Sequence, residues 1–563
     1  MRRLQIILIA IAGWLGISAQ SASDSVPSAS HLPPLYRDYQ TLKRSDPWLT
    51  SPNAAALVRY ADDNIAEAEL SLTRRKGGLC DFYQSPDALQ VSACIESFHR
   101  LNERTVVFGA MSYDNLSGND MAGSAFIHHP TSSRLPFDLV EDSLTNTGRK
   151  HLDTYQLVGG VGIDLWRGLS LGARLDYTAA NYAKYKDLRH KNKLMDLQLT
   201  VGAYLPLGNW GALGANYLYH RNTESLQFST YGKTDRTYQT LISYGAFMGR
   251  VEQFGGNGYT DRSREMPLVS DYNGLSAQFS VQLSPLSVYN NFTYARRSGY
   301  YGRRSPFTIT YADHQSDTYR YDASLQLTLP RSRHHLDLCL NAENLTNFAA
   351  TFREQQNDAG ATYYDYYTPV KTADKLWVDG TVALTTDLYP QHLCRSVSDG
   401  HVAVSPSTFP TWTFQLGLNW HHRHHTAYVY PYGRRQKLTS RELFVTLCRN
   451  VVTAKAKAVW TFALDGSFRQ GEGDPFEDFT LAEPSDKQTP PASMDAYLWR
   501  EYQWLMAPQY AVGGKVKYAF VFPNTQLKTH VSLSLHHRKA NQTYEYSNGK
   551  DRTEAVLAIG CTF

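Results

Sequence analysis

The residues able to do chemistry in this chain stand two positions apart. Arg174 and Asp176 have this spacing, as do Arg320 and Asp322, and lysines recur at Lys455, Lys457, Lys515, Lys517 and Lys528. Positions i and i+2 share one face of a strand, so opposite charges there can pair. A row of lysines on such a face would bias a watery passage toward anionic solutes. The run HHRHH at 421–425 suggests a metal. In an extended chain, however, His421, Arg423 and His425 face one way and His422 and His424 the other. Too few ligands converge for a zinc site, and residues at a solvated rim are the simpler expectation. The pairs His128/His129 and His334/His335 are equally unspecific. The stretch ATYYDYYTPV groups Tyr363, Tyr364, Tyr366 and Tyr367, offering amphipathic contact area to a partner or to an interfacial aromatic belt. Neither HExxH nor GxxxxGK[ST] occurs and no Asp/His constellation stands out, so neither an enzyme nor a cofactor is expected.

Faces of this kind need strands, and the alternation that makes strands runs through the chain. Leu169, Leu171, Ala173, Leu175 and Tyr177 alternate with Ser170, Gly172, Arg174, Asp176 and Thr178. Leu275 to Leu283, Tyr319 to Leu329, Trp412 to Trp420 and Val531 to Leu535 repeat the pattern, with inward polar partners such as Gln282 and Asn419. Runs of about 9 to 13 residues suit a tilted strand crossing a bilayer, whereas strands of soluble sandwiches average about five or six. Short turns are read at 101–104, 166–168, 206–209, 284–287, 330–333, 449–452 and 523–526. Long polar excursions are read at 117–152, 227–273, 298–316, 346–372 and 467–505. Short periplasmic turns and long outer loops are the outer-membrane arrangement. Trp166 and Trp210, beside short turns, fit an aromatic girdle. The expected fold is therefore all-β: one antiparallel transmembrane β-barrel of about eighteen strands, with fourteen or sixteen as alternatives.

Bulk composition agrees. The chain has 563 residues with 38 Tyr, 23 Phe, 10 Trp and 38 Gly, yet only 42% hydrophobic content. That is too polar for a helical membrane protein but right for strands with one watery face. Arg2 and Arg3 precede the apolar run Leu4 to Ile17 and the small residues SAQSAS, so residues 1–22 read as a secretory signal peptide. Residues 23–64 read as a periplasmic segment with a short helix, and 65–563 as the barrel. A net charge of +4 gives no reason to expect nucleic acid. Six cysteines in an oxidising compartment could pair, Cys80 and Cys394 being the most loop-like.

The final run, AVLAIGCTF, ends on Phe563 after alternate apolar residues. It resembles the C-terminal signal that the outer-membrane barrel-assembly machinery reads, which implies that machinery as a partner. SPNAAAL (51–57) resembles the Asn-Pro-Ala start of long-chain fatty-acid transporter-type barrels, with Pro52 and Asn53 inverted. Ser51 or Asn53 would in any case cap a helical turn. TonB-dependent receptors carry a plug of over a hundred residues, and about forty are too few for one here. The expectation is an outer-membrane protein in contact with lipid, a channel or transporter for small solutes with a partly basic lumen. The alternative is a structural or accessory barrel that binds a surface protein or a TonB-dependent receptor through its loops.

Overall fold

The computed structural model describes residues 35, 38–61, 64–128, 133–141, 146–166, 168–232, 235–255, 265–390, 394–398, 401–405, 409–453 and 457–563. The expected signal peptide and Lys455 lie outside them. Nine strands form the first half of one closed sheet: β1 (Ile65–Lys76), β2 (Asp87–Asn102), β3 (Thr105–Met121), β4 (Gly148–Trp166), β5 (Leu169–Lys184), β6 (Arg189–Pro206), β7 (Gly211–Ser229), β8 (Met266–Leu283) and β9 (Leu286–Ser305). Nine more complete it: β10 (Thr308–Leu329), β11 (Ser332–Ala349), β12 (Val370–Leu388), β13 (Trp412–Val429), β14 (Tyr432–Val452), β15 (Ala458–Glu472), β16 (Gln509–Val521), β17 (Lys528–Ala540) and β18 (Asp551–Thr562). Each pairs antiparallel with its sequence neighbours, and β18 returns to β1 with Leu72 opposite Leu557. Phe563 completes the seam: its N–H donates to Ala66 O (3.0 Å), and its carbonyl accepts from Ala66 N–H (2.8 Å).

Alternation decides which way each side chain points. On β5, Leu169, Leu171 and Leu175 are exposed on the outer wall, while Ser170 is buried inside. Trp166 and Trp210 stand exposed beside their short turns. Six of the seven short turns fall where the sequence predicts, but the one read at 449–452 is displaced to 453–457, because β14 stays paired with β15 as far as Val452. Gly208 (φ +61°) takes the left-handed backbone that so tight a turn requires. The 298–316 excursion is different. β9 and β10 stay paired as far as Ser305 and Thr308, because the alternating pairs Tyr300–Asp313 and Arg296–Asp317 continue the ladder beyond the apolar belt.

Both mouths of the cylinder are filled by the chain itself. The expected periplasmic segment lies inside the lower end of the lumen. It comprises α1 (Tyr39–Ser45), α2 (Pro47–Thr50) and a 3₁₀ helix at Ala54–Arg59. Trp48 packs edge-on against Tyr204 (5.0 Å) and Tyr289 (5.1 Å), and its indole N–H donates to Ser280 Oγ (3.0 Å). Tyr39 and Tyr60 stack on Phe98. At the other end the 227–273 excursion turns inward. Gln239–Gly245 and Met248–Gln253 form a hairpin flanked by Asp138–Glu141 and Ala492–Ser493. Its Ile242, Tyr244 and Met248 share a core with Phe126, Phe137 and Leu139 and with the wall residues Leu268, Tyr301 and Ala427. A helix, α3 (Asp495–Met506), covers the far side through Tyr497 and Leu498.

A buried ionic triad ties this cap to the wall. Glu141 forms an ion pair with Lys150 (2.5 Å) and accepts from Lys184, and both lysine side chains are fully buried. Removing the carboxylate strands two buried cations, a cost of about 3–5 kcal/mol. In Glu141→Gln, protease added to intact cells is expected to cut within 122–147 at least about a hundredfold faster than in wild type. Equal rates would show that the triad does not hold the cap.

Candidate functional site

The space between the two covers is the candidate site, and a row of glycines seats the lower cover. Gly162 on β4, Gly172 on β5 and Gly202 on β6 lie in one hydrogen-bonded register across three strands, all facing the lumen. A Cβ at Gly172 would sit 2.2 Å from Ala55 N, and one at Gly162 would sit 2.6 Å from Ala54 O. The row is a trough into which the 3₁₀ helix fits backbone to backbone. Asn53 caps that helix, accepting from Ala55 N–H (3.2 Å), while its Nδ2 donates to Ala203 O (2.9 Å) and Gln278 Oε1 (3.1 Å). Asp46 caps α2 and accepts from Arg59 Nε (2.7 Å). Side-chain bonds and packing hold this plug; it contributes no strand to the barrel ladder.

Above the plug a cavity of about 250 Å³ opens against β7 to β12, with Arg134 as its roof. Arg134 lies over the Trp377 ring (5.6 Å) and donates to Asp379 (2.6 Å), which also pairs with His421 (2.5 Å). Arg320 forks onto Asp322 (2.8 and 3.0 Å). Asp322 in turn accepts from Asn291 (3.0 Å), whose amide oxygen accepts from Gln278 (3.0 Å). Gln278 is the residue that holds Asn53, so an unbroken chain of hydrogen bonds joins the cavity wall to the plug.

The other expected residues separate. Arg174 and Asp176 face the lumen and pair with each other (2.8 Å). Lys515, Lys517 and Lys528 face it too, but acidic groups answer them: Lys528 lies 3.9 Å from Asp38, and Lys517 lies close enough to Asp38 and Glu67 to attract both. The basic wall is thus partly the seat of the plug. Lys457 is exposed in the turn between β14 and β15, because β14 ends at Val452 and β15 starts at Ala458. The tyrosines lie on a hairpin (Phe352–Gln356 with Thr362–Tyr366) and divide by alternation. Tyr364 and Tyr366 pack on Phe352, Tyr363 donates to Gln355, and Tyr367 is exposed. Of the HHRHH run, His421 meets Asp379, His422 meets Thr439 and Arg423 meets Glu501. Among the described residues no cluster suits a metal ion. Cys80 is free and buried in the β1–β2 connection, at the opposite end of the barrel from the 389–411 connection that carries Cys394. Sequence reasoning missed Arg134, Trp377 and Asp379. It also missed the glycine row, whose signal was there: the glycines fall on lumen-facing positions near short turns.

A protein-family profile matches residues 54–563, from the 3₁₀ helix to the last strand. The chain belongs to the family of unknown function DUF6850. No curated protein matches it in sequence. Among solved structures, the DUF6850 barrel is similar to BauA, the ferric preacinetobactin receptor of Acinetobacter baumannii (9% identity, 89% of this chain and 80% of that one, TM-score 0.37). It is also similar to the outer-membrane transporter YddB of Escherichia coli (7%, 89% and 81%, 0.35) and to a Pseudomonas aeruginosa FadL homologue (9%, 92% and 94%, 0.28). These likenesses concern the barrel alone. The closed cylinder with its apolar outer belt makes the protein an integral outer-membrane barrel of the Gram-negative kind.

The trough predicts how the plug comes loose. Gly172→Ala forces a methyl into the Ala54–Ala55 backbone, an overpacking cost of about 1–3 kcal/mol. Trypsin cleavage after Arg59 in the detergent-solubilised protein should then quicken roughly tenfold. Gly159→Ala, on the outer wall with nothing within 4 Å of its added Cβ, should leave the rate unchanged. Equal effects of the two variants would refute the trough.

Proposed function

We propose that this barrel is a gated channel or transporter: a small solute halts in the chamber, and the N-terminal segment is its periplasmic stop. The observation that carries the reading is the seating of residues 38–61. They close the lower lumen through packing and side-chain bonds, so they can leave without breaking a single strand pair of the wall. The chamber presents Arg134, His220, Arg320, Asn341, Glu343 and Asp379 among its apolar and aromatic lining, and polar groups of this kind can meet a hydrated solute. A second reading, an accessory barrel that binds a surface partner, is favoured by the projecting hairpin with Tyr366 and Tyr367 exposed.

A reversible tether tests the gate. A Cβ at Gly160 would lie 3.7 Å from Ala54 Cβ, within the spacing of about 3.5–4.5 Å that a disulfide spans. In planar bilayers the reduced Ala54→Cys/Gly160→Cys protein should show the brief openings of wild type. Oxidation should abolish them and reductant should restore them. If the cross-linked protein, verified by peptide mass, conducts like the reduced one, the plug is not the gate. If wild type never conducts, the accessory reading gains.

A further inference from the structure

The chamber's hydrogen-bonding inventory is unbalanced, and the imbalance identifies a class of solute. A guanidinium has five N–H donors and no acceptor. Arg320 uses two of them on Asp322, leaving three; Arg134 uses one on Asp379, leaving four. Both side chains are open to the cavity, at 57% and 43% exposure. The carboxylates beside them are engaged. Asp379 accepts from Arg134 and His421 and Asp322 from Arg320 twice and from Asn291, each on both oxygens, while Glu343 accepts from Arg297 and Ser316 on Oε1. The unused capacity facing the cavity is therefore mostly donor, cationic and planar. Planar forks of this kind match the two oxygens of a carboxylate or phosphate.

We infer that the chamber binds a small solute through a carboxylate or phosphate group held by Arg134 and Arg320. The volume, about 250 Å³, equals roughly eight waters at about 30 Å³ each, which suits a compact metabolite. This deepens the gated-chamber reading and rests on it. It moves anion selection away from the lysine row, where Lys528 faces the plug's own Asp38, to the two arginines. It also places the anion at one end of the chain Arg320–Asp322–Asn291–Gln278–Asn53, where it would compete with Asp322 for the guanidinium.

Equilibrium dialysis of the detergent-solubilised full chain against labelled phosphate, labelled succinate and labelled glucose tests this. Saturable binding of about one phosphate or one succinate per chain is expected, with none for glucose; whichever anion binds names the group. Arg320→Gln and Arg134→Gln should each weaken it roughly tenfold or more, as loss of a charge-assisted contact does. Arg320→Lys, which keeps the charge but not the fork, should fall between, and Lys515→Gln should change nothing. Barrel closure of each variant is checked by its altered mobility on unheated gels. Should Arg320→Gln fail to close, Arg134→Gln carries the test, since Arg134 sits on a connection and not in the wall. Absence of saturable binding for both anions, binding that both arginine variants leave intact, or equal weakening by Lys515→Gln would overturn the inference. Dialysis requires no passage through the barrel, so a negative result here leaves the tether result standing, and a tether without effect leaves occupancy intact.

Discussion

In hydrocarbon a peptide group without a partner has no water to turn to, and each such group costs several kcal/mol. That one constraint governs this molecule. A sheet with an edge cannot rest in a bilayer, so the first strand must meet the last. Phe563 exchanges both of its backbone bonds with Ala66 for this reason. Alternation then follows, since a wall one strand thick has a greasy side and a wet side. A cylinder of about eighteen strands is also wide enough to hold water unless something else fills it. Here the chain's own segments fill both ends and leave a chamber between them.

Much of the wall was legible because its rule has a period of two. Leu275 to Leu283 and Trp412 to Trp420 state their faces outright, and tight turns such as Pro206 to Asn209 mark where strands reverse. The extended β9–β10 hairpin was harder to read. Above the membrane both faces meet water, so Arg296, Tyr300 and Asp313 lose the contrast that separates strand from loop. The contents of the lumen were harder still. A lumen-facing Ser280 or Asn291 reads the same whether it meets solvent or Trp48.

The site was legible in its pairs and opaque in its partners. Arg320 and Asp322 announce their salt bridge by spacing alone. Nothing in the sequence reveals that Arg134, nearly two hundred residues earlier, folds down to complete the same cavity, or that Asp379 would meet it there. The lysines misled for a related reason. A row of like charges suggests an open electropositive wall, but charge on a face is meaningful only with the opposing face in view. Asp38 comes from the segment that was expected to stay outside.

The glycine trough also bears on the order in which the molecule comes together. It lies on β4 to β6, and its occupant precedes even β1, whereas the seam waits for the last dozen residues. The N-terminal helices can thus settle on a curling, unsealed ribbon. Installing them afterwards would mean passing an indole and three short helices through a finished aperture. The polypeptide furnishes its interior first and shuts the door last.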